Sequence, residues 1–521
     1  MLLAALLLPS GGAEAYRHHT SRIRYQEYSP VVFAEARREG KPVFVLISAV
    51  WCYWCHYFDE QTLETDEVAE YLNRHYLSVF VDSDLRMDLT RKYARGWPMT
   101  ILFDPVGRVR LSFPGALWKE DFLSVVARVA EEVRTGAPGA VPVEREVARP
   151  GVTVPPTAAI YRQLVDGIVR YVDEQVDTLH GGFGTGRKFP HGRLLAYLLT
   201  QEEVTRDPRR LAAMEKTLDA VARALGDPVD GGFFRYAERR EWREPHTEKM
   251  LYVNASLALA FHAASRVFKG RRFGEARDGA VAYMLRTLRD AKDGGFYGSQ
   301  TADPAYYRLP KAERSIARRP PVNRDKVTAW NAEAALSLLA IGEATGRKDV
   351  KQAALGALDF MARHVVTERG AYHIYRPATG RAELPGQLEA NAWAALAFLE
   401  GHRVSGNAAY REAAEKILRW ALAELADRER GGFIETAGLD GDGAPRAAEV
   451  SLDANGVMAE ALLHAARGGG RREYEDAATR ALARLGGSLR TVLVDERDSP
   501  APSVADAVPA LRAYARLLGK G

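Results

Sequence analysis

The sequence predicts a two-part chain: an α/β domain of alternating strands and helices, then an all-α ring of six helical hairpins. Three observations carry this reading. The only two cysteines, Cys52 and Cys55, lie between an apolar β-type run, Val43 to Ile47, and a helix-compatible segment. From Ala158 onward apolar residues recur at helical spacing, as in Ile160, Leu164, Ile168, Val172 and Val176. A Gly-Gly-aromatic mark punctuates those helices at Gly181, Gly231, Gly294 and Gly431, with Gly370-Ala371-Tyr372 as a degraded copy.

A chain of 521 residues exceeds one compact core, so two or three domains are expected. Apolar content of 47% and charged content of 27% are those of a globular protein. The net charge of +4 is spread over 72 basic and 68 acidic residues, and no basic run argues for a nucleic-acid partner. Leu2 to Leu8 is apolar and Ala13-Glu14-Ala15 fits a signal-peptidase site, but no Lys or Arg precedes the run. Residues 1–15 thus meet the signal-peptide signature in part: cleavage implies a periplasmic or secreted protein, its absence a cytoplasmic one. The run is too short for a membrane span.

Within the first domain, residues 16–135, a helix is expected over Ser29 to Gly40, with Val32, Phe33 and Ala36 inward. Strand Val43–Ile47 and the Cys-x-x-Cys helix follow. Next come a helix over Asp66 to His75, a strand over Tyr76 to Asp82 and a helix around 85–95. Gly96-Trp97-Pro98 leads into strand Thr100–Phe103, the turn Asp104-Pro105-Val106-Gly107 into strand Val109–Phe113, and a helix over Lys119 to Arg134 closes the domain. This is the thioredoxin order. Cys52 falls at a helix N-terminus, where unpaired N–H groups and the helix dipole stabilise a thiolate, and Cys55 lies one turn on to resolve a mixed disulfide. Pro98 is expected to be cis and to form the substrate loop beside the dithiol, with His56 as a tuner of thiolate charge. Cys52-x-x-Cys55-His56 also fits c-type haem attachment, but the preceding strand and the bulky Tyr53-Trp54 argue against it. No second Cys or His pair offers metal spacing, so neither metal nor cofactor is expected.

Thr135 to Pro156 is rich in Pro, Gly, Val and Ala and reads as a linker, placed at 136–156. Beyond it, over 157–521, twelve helices pair into six hairpins, each joined by a long loop that carries the Gly-Gly-aromatic mark. The period suggests a closed (α/α)6 toroid. Asn254-Ala255, Asn331-Ala332, Asn391-Ala392 and Asn455-Gly456 mark the even helices, whose small residues suit an inner ring. All long loops then lie on one face, so polar residues at the even-helix N-termini converge on the mouth. The candidate ligand set is His246, Glu248, Lys249, Asp325, Trp330, Glu389, Trp393 and Asp453, a mixture of acids, bases and aromatics suited to a sugar-like ligand. Paired carboxylates suit glycoside hydrolysis and His with Glu or Lys suits epimerase proton abstraction. Taken singly, Glu248 and Asp325 equally fit the first turn of a helix as caps.

Together the motifs resemble one family. Trp51-Cys52-Tyr53-Trp54-Cys55-His56, Gly96-Trp97-Pro98, Gly181-Gly182-Phe183-Gly184 with Lys188-Phe189-Pro190, His246 to Tyr252 with Asn254, and Asp325 to Asn331 occur in the order seen in thioredoxin-like proteins fused to a six-hairpin toroid. That group includes the spermatogenesis-associated thioredoxin-like proteins and bacterial relatives. Tyr53 stands where the family usually has His, Thr247 where it has Phe, and Val253 where it has Asp. The resemblance implies a thioredoxin fold and a toroid similar to N-acylglucosamine 2-epimerases and six-hairpin glycosidases.

The expected function is thiol–disulfide exchange at Cys52 and Cys55, with protein thiols or disulfides as partners, coupled to a toroid that takes a carbohydrate-like ligand. Two alternatives stay open: a carbohydrate-active toroid with an accessory thioredoxin domain, and a non-enzymatic client-binding protein.

Overall fold

A computed structural model of the chain describes residues 21–137, 153–437, 450–469, 471–495 and 501–519. The signal-like residues 1–15, and residues 138–152 of the linker, lie outside the described residues. The chain divides into two compact units, residues 1–143 and 144–521.

In the first unit the strand Val43–Ser48 (β2) is buried at every position, as an almost wholly apolar run requires when both faces are covered. It forms the centre of a five-stranded sheet of order β1-β3-β2-β4-β5, with β1 Tyr25–Gln26, β3 Leu77–Asp82, β4 Met99–Phe103 and β5 Val109–Pro114. β2 pairs parallel with β3, Val43 opposite Leu77, and antiparallel with β4, Val43 opposite Phe103. Strand alternation sends Phe44 and Leu46 into one core with Phe58, Leu63, Leu72, Phe122 and Val126. Val43, Val45 and Ile47 enter the other, with Val32, Ala36 and Leu89. Five helices supply those partners other than Leu63: α1 Pro30–Glu39, α2 Tyr53–Phe58, α3 Asp66–His75, α4 Met87–Tyr93 and α5 Lys119–Thr135. α1 has Pro at its first turn and Gly40 at φ 65° behind it, the ordinary start and stop of a helix. β1 was not foreseen, because two residues show no alternation.

The second unit is the ring. Outer helices α6 Ala158–Gln175, α8 Pro208–Leu225, α10 Arg272–Tyr283, α12 Lys348–His364, α14 Ala408–Glu424 and α16 Arg472–Arg490 alternate with inner helices. The inner set is α7 Gly192–Leu198, α9 Leu251–Val267, α11 Thr328–Thr345, α13 Leu388–Ser405, α15 Leu452–Gly469 and α17 Val508–Leu517. Each inner helix packs on the next, and α17 packs on α7, so the ring closes. The inner helices α9, α11 and α13 are alanine-rich and largely apolar all round, as helices buried on most sides must be. Two inner helices start later than the sequence suggests. Residues 245–246, 249–250 and 326–327 are held in short strands, with Lys249–Met250 on Ser299–Gln300 and Lys326–Val327 on Ile374–Tyr375. Glu248 and Asp325 therefore precede their helices and do not lie in a first turn.

The Gly-Gly loops share one construction. Gly231 and Gly232 have φ of 73° and 74°, and a Cβ on Gly232 would lie 2.5 Å from the Tyr283 ring on the next outer helix. The following aromatic is bracketed by the inner-helix asparagine: the Phe233 N–H donates to Asn254 Oδ1 at 2.8 Å, and Asn254 Nδ2 donates to the Phe233 carbonyl at 3.2 Å. Asn331 does the same for Phe296, Asn391 for Ala371 and Asn455 for Phe433.

Candidate functional site

Two sets of side chains qualify, one in each unit. In the first, Cys52 is the N-cap of α2 (φ −86°, ψ 114°), and its Sγ accepts the backbone N–H of Cys55 at 3.2 Å. The sequence folds this way because strand β2 ends at Ser48, where the chain turns through Val50 and Trp51 into the helix. Both cysteines are buried. The Trp97–Pro98 bond is cis. The Trp97 ring lies 5.6 Å from that of Trp51, which brings the proline loop to the dithiol turn. The Trp51 indole N–H donates to Asp84 at 3.0 Å. His56 sits one position past Cys55, and its Nε2 lies 2.8 Å from the Val50 carbonyl, so that nitrogen donates to the turn. Tyr53 and Trp54, between the cysteines, are exposed and pack with Tyr57, whose ring meets Trp118. An aromatic surface thus adjoins the dithiol.

The second set lies at the N-terminal ends of the inner helices. Arg193 on α7 donates to both oxygens of Glu333 on α11, at 2.6 and 2.7 Å, and to Asp453 on α15 at 3.0 Å. Its guanidinium lies 4.6 Å from the Trp393 ring on α13. Four inner helices meet in this cluster. Nearby in sequence, Arg235 donates to Glu248 Oε1 at 3.3 Å, while the buried Oε2 has no hydrogen-bond partner among the described residues. Tyr252 packs on Trp330 at 5.2 Å. His246 stacks on Tyr236 at 4.0 Å and contacts Glu238 at 3.2 Å; burial holds its imidazole below the ordinary value, against the pull of Glu248 and Glu238. Burial pushes the Asp325 carboxyl up, with Arg376 opposing. Glu389 lies in the first turn of α13, half-buried.

Of the eight toroid residues expected at the mouth, Asp453 and Trp393 meet at Arg193, and Glu248 meets Arg235. Lys249 does not open onto the mouth. It is fully buried, its ammonium donated to Asp227 at 2.6 Å and to the Gly231 carbonyl at 2.7 Å. Lys188 with Asp177 and Lys326 with Asp290 repeat the arrangement. These lysines are struts of the Gly-Gly loops. The signal was present in the sequence: an Asp stands four residues before the first Gly at Asp177, Asp227, Asp290 and Asp427. Arg193 and Glu333 were not foreseen. Glu333 is an acid in the buried part of an alanine-rich inner helix, and a charge in such a place calls for a partner.

Residues 13–130 match the family described as Thioredox_DsbH, a protein of unknown function, DUF255. The match lies within the first unit, whose strands and helices follow the thioredoxin order. The chain is 28% identical to spermatogenesis-associated protein 20 of Homo sapiens over 316 residues, 55% of this chain and 40% of that protein. The Rattus norvegicus protein of the same name gives the same figures. The match therefore spans about two fifths of these curated relatives. The chain also resembles cellobiose 2-epimerase from Spirochaeta thermophila DSM 6192 in fold, with a TM-score of 0.54 and 18% identity over 70% of this chain and 96% of that one. A D-mannose isomerase gives a TM-score of 0.54 at 12% identity, over 70% of this chain and 98% of that one. At these identities the likeness shows the fold alone. Among the described residues no helix is long and apolar enough to cross a membrane.

Proposed function

We propose that the chain is a thiol–disulfide oxidoreductase acting through Cys52 and Cys55 on protein thiols or disulfides. The observation that supports this most is the N–H···S bond from Cys55 to the Cys52 Sγ at the start of α2. A donor aimed at that sulfur favours the thiolate over the thiol, as does the helix N-terminus. In the exchange, Cys52 thiolate attacks one sulfur of a client disulfide and releases the other as a thiolate. Cys55 then attacks the Cys52 sulfur, the Cys52–Cys55 bond forms, and the client leaves with both thiols. The aromatic face at Tyr53 and Trp54 excludes water from the client side, and Pro98 offers its loop to the client backbone. Alkylation of Cys52 as a function of pH tests the reading. A thiolate well populated below the ordinary cysteine range is expected; ordinary titration with no disulfide turnover would sink it.

A second reading attaches to the ring: its mouth takes a polyhydroxylated, sugar-like ligand. The unpartnered Glu248 oxygen and the Arg193 cluster favour it, since both present charge at the inner-helix ends. His246, Glu248, Asp325, Trp330, Glu389, Trp393 and Asp453 are the working set. Thermal shifts of the full chain against a sugar library test this, with Ala substitutions of the five ionisable members as controls. Ligand shifts that survive all five substitutions would remove the proposal.

A further inference from the structure

A cavity of about 150 Å³ opens in the second unit, lined by none of the residues of the two sites described above. One water needs only about 10–15 Å³ of such space. The walls are Val229 and Asp230 of the second Gly-Gly loop, Arg286 and Thr287 behind α10, then Gln300 and Arg319. Arg286 and Thr287 stand in a π-turn, Met284–Leu288, closed by the Arg289 N–H on the Met284 carbonyl at 2.9 Å. Turns of this kind are frequent at functional sites. Arg319 is placed by its neighbours: the Pro320 carbonyl accepts from Gln300 Nε2 at 3.0 Å, and Val322 lies opposite Gln300 in a short strand pair. Gln300 is buried, and its Oε1 accepts the Tyr283 hydroxyl at 3.2 Å. A carboxamide has two N–H donors, so one is left for the cavity.

The charges around this cavity do not cancel. Two acids of the loop, Asp227 and Asp230, face it. Asp227 is held by Lys249 at 2.6 Å and by Arg314 at 2.8 Å. Asp230 Oδ2 accepts from Arg314 at 3.1 Å and from the Tyr306 hydroxyl at 3.1 Å. Lys249 and Arg314 are both buried, so these two acids are already answered by two fixed cations. Arg286 and Arg319 come in addition. Arg286 donates to the Asp230 carbonyl, and neither guanidinium is ion-paired among the described residues. The cavity thus holds a surplus of positive charge beside the Thr287 hydroxyl and the Gln300 amide. Both arginines are exposed, so an anion reaches them from solvent.

We propose that this cavity binds a small tetrahedral oxyanion, phosphate or sulfate, either free or as the ester of a larger molecule. Arg286 and Arg319 supply charge-assisted hydrogen bonds, which planar guanidinium forks make well to such oxygens. Thr287 and Gln300 supply neutral donors to the remaining oxygens. A neutral hydroxyl compound would leave both guanidinium charges unanswered. The site rests on neither the dithiol reading nor the sugar reading, and no bond is made or broken in it.

The test is isothermal titration of the full chain at constant ionic strength in a phosphate-free buffer, with sodium phosphate, sodium sulfate and glucose 6-phosphate as probes. One oxyanion per chain is expected, with phosphate and sulfate competing and chloride giving no heat. Arg286→Gln and Arg319→Gln should each weaken binding by at least about 10-fold, whereas Arg428→Gln, at another exposed arginine, should not. Glucose 6-phosphate bound at least about 10-fold tighter than phosphate identifies an esterified ligand. Equal or weaker binding of the ester identifies the free anion, and both outcomes support the site. No saturable binding by the wild-type chain would overturn the proposal. So would full affinity in both variants, or an equal loss in Arg428→Gln. If Arg286→Gln fails to fold because the Asp230 carbonyl has lost its donor, Arg319→Gln decides alone, since Arg319 makes no ion pair among the described residues.

Discussion

Arg193 and Glu333 are joined by two parallel hydrogen bonds of 2.6 and 2.7 Å, although their helices are not neighbours in the ring. α9 stands between them, so the guanidinium reaches across the inner wall. Asp453 takes the remaining edge from the other side, past α17. The three charges tie α7, α11 and α15 together at one end, and the Trp393 face receives the cation. The pairing is bidentate, the geometry in which Arg cannot be replaced by Lys without loss.

Removal of that cation leaves two acids facing each other at low exposure. Arg193→Met should destabilise the toroid by about 3 kcal/mol, read by denaturant unfolding. The double variant Arg193→Met with Glu333→Gln should recover part of the loss. Strict additivity of the two single changes would show that the pair is not coupled.

The asparagine brackets are open to a similar test. Asn331→Ala deprives the Phe296 N–H and carbonyl of their partners and the Val327 carbonyl of another. A loss of about 2–3 kcal/mol is expected by thermal melting, because buried backbone groups are left unpaired. Asn331→Asp should not rescue it, since a carboxylate offers no donor to those carbonyls.

At the dithiol, Cys55→Ser should accumulate a mixed disulfide between Cys52 and a client peptide, visible as a mass adduct that reductant removes. Cys52→Ser should give no adduct and no turnover. Adducts on Cys55 in the Cys52→Ser chain at equal yield would reverse the assigned roles.

Asp59, buried one helical turn past Cys55, bears on stability against pH. Its folded carboxyl titrates near 7, above the value of about 4 expected when unfolded. Between those two values the folded state holds more protons than the unfolded one, so stability falls as pH rises through this window. Asp59→Asn removes the titration. The variant should therefore gain on wild type by about 3 kcal/mol from pH 4.5 to pH 8, measured by urea unfolding at both. A constant difference across that range would place the carboxyl's titration elsewhere.

Much of this architecture is legible in the chain because it rests on short-range signals. Strand β2 is a run of apolar residues, α3 begins and ends within its acidic and basic turns, and the Gly-Gly-aromatic mark reports a backbone conformation that few other residues adopt. The thioredoxin order and the six hairpins followed from those signals. The chemistry of the mouth was less legible. Lys188, Lys249 and Lys326 stand at positions that point to the mouth by count, yet each turns to an Asp of its own loop. Arg193 finds its partners 140 and 260 residues away, a distance over which local pattern is silent. Asp59 looks like an ordinary acid in a polar stretch until the burial of its helix face is known.

The asparagine brackets of the second, third and fourth Gly-Gly-type loops come from within the hairpin that carries the loop: Asn254 holds Phe233, Asn331 holds Phe296, and Asn391 holds Ala371. The lysine struts of the second and third obey the same rule. The second loop is also gripped from the third hairpin, where Arg314 donates to Asp227 at 2.8 Å. The bracket keeps the backbone of a loop in place while the side chains that face the opening can change, but the second loop changes together with its neighbour.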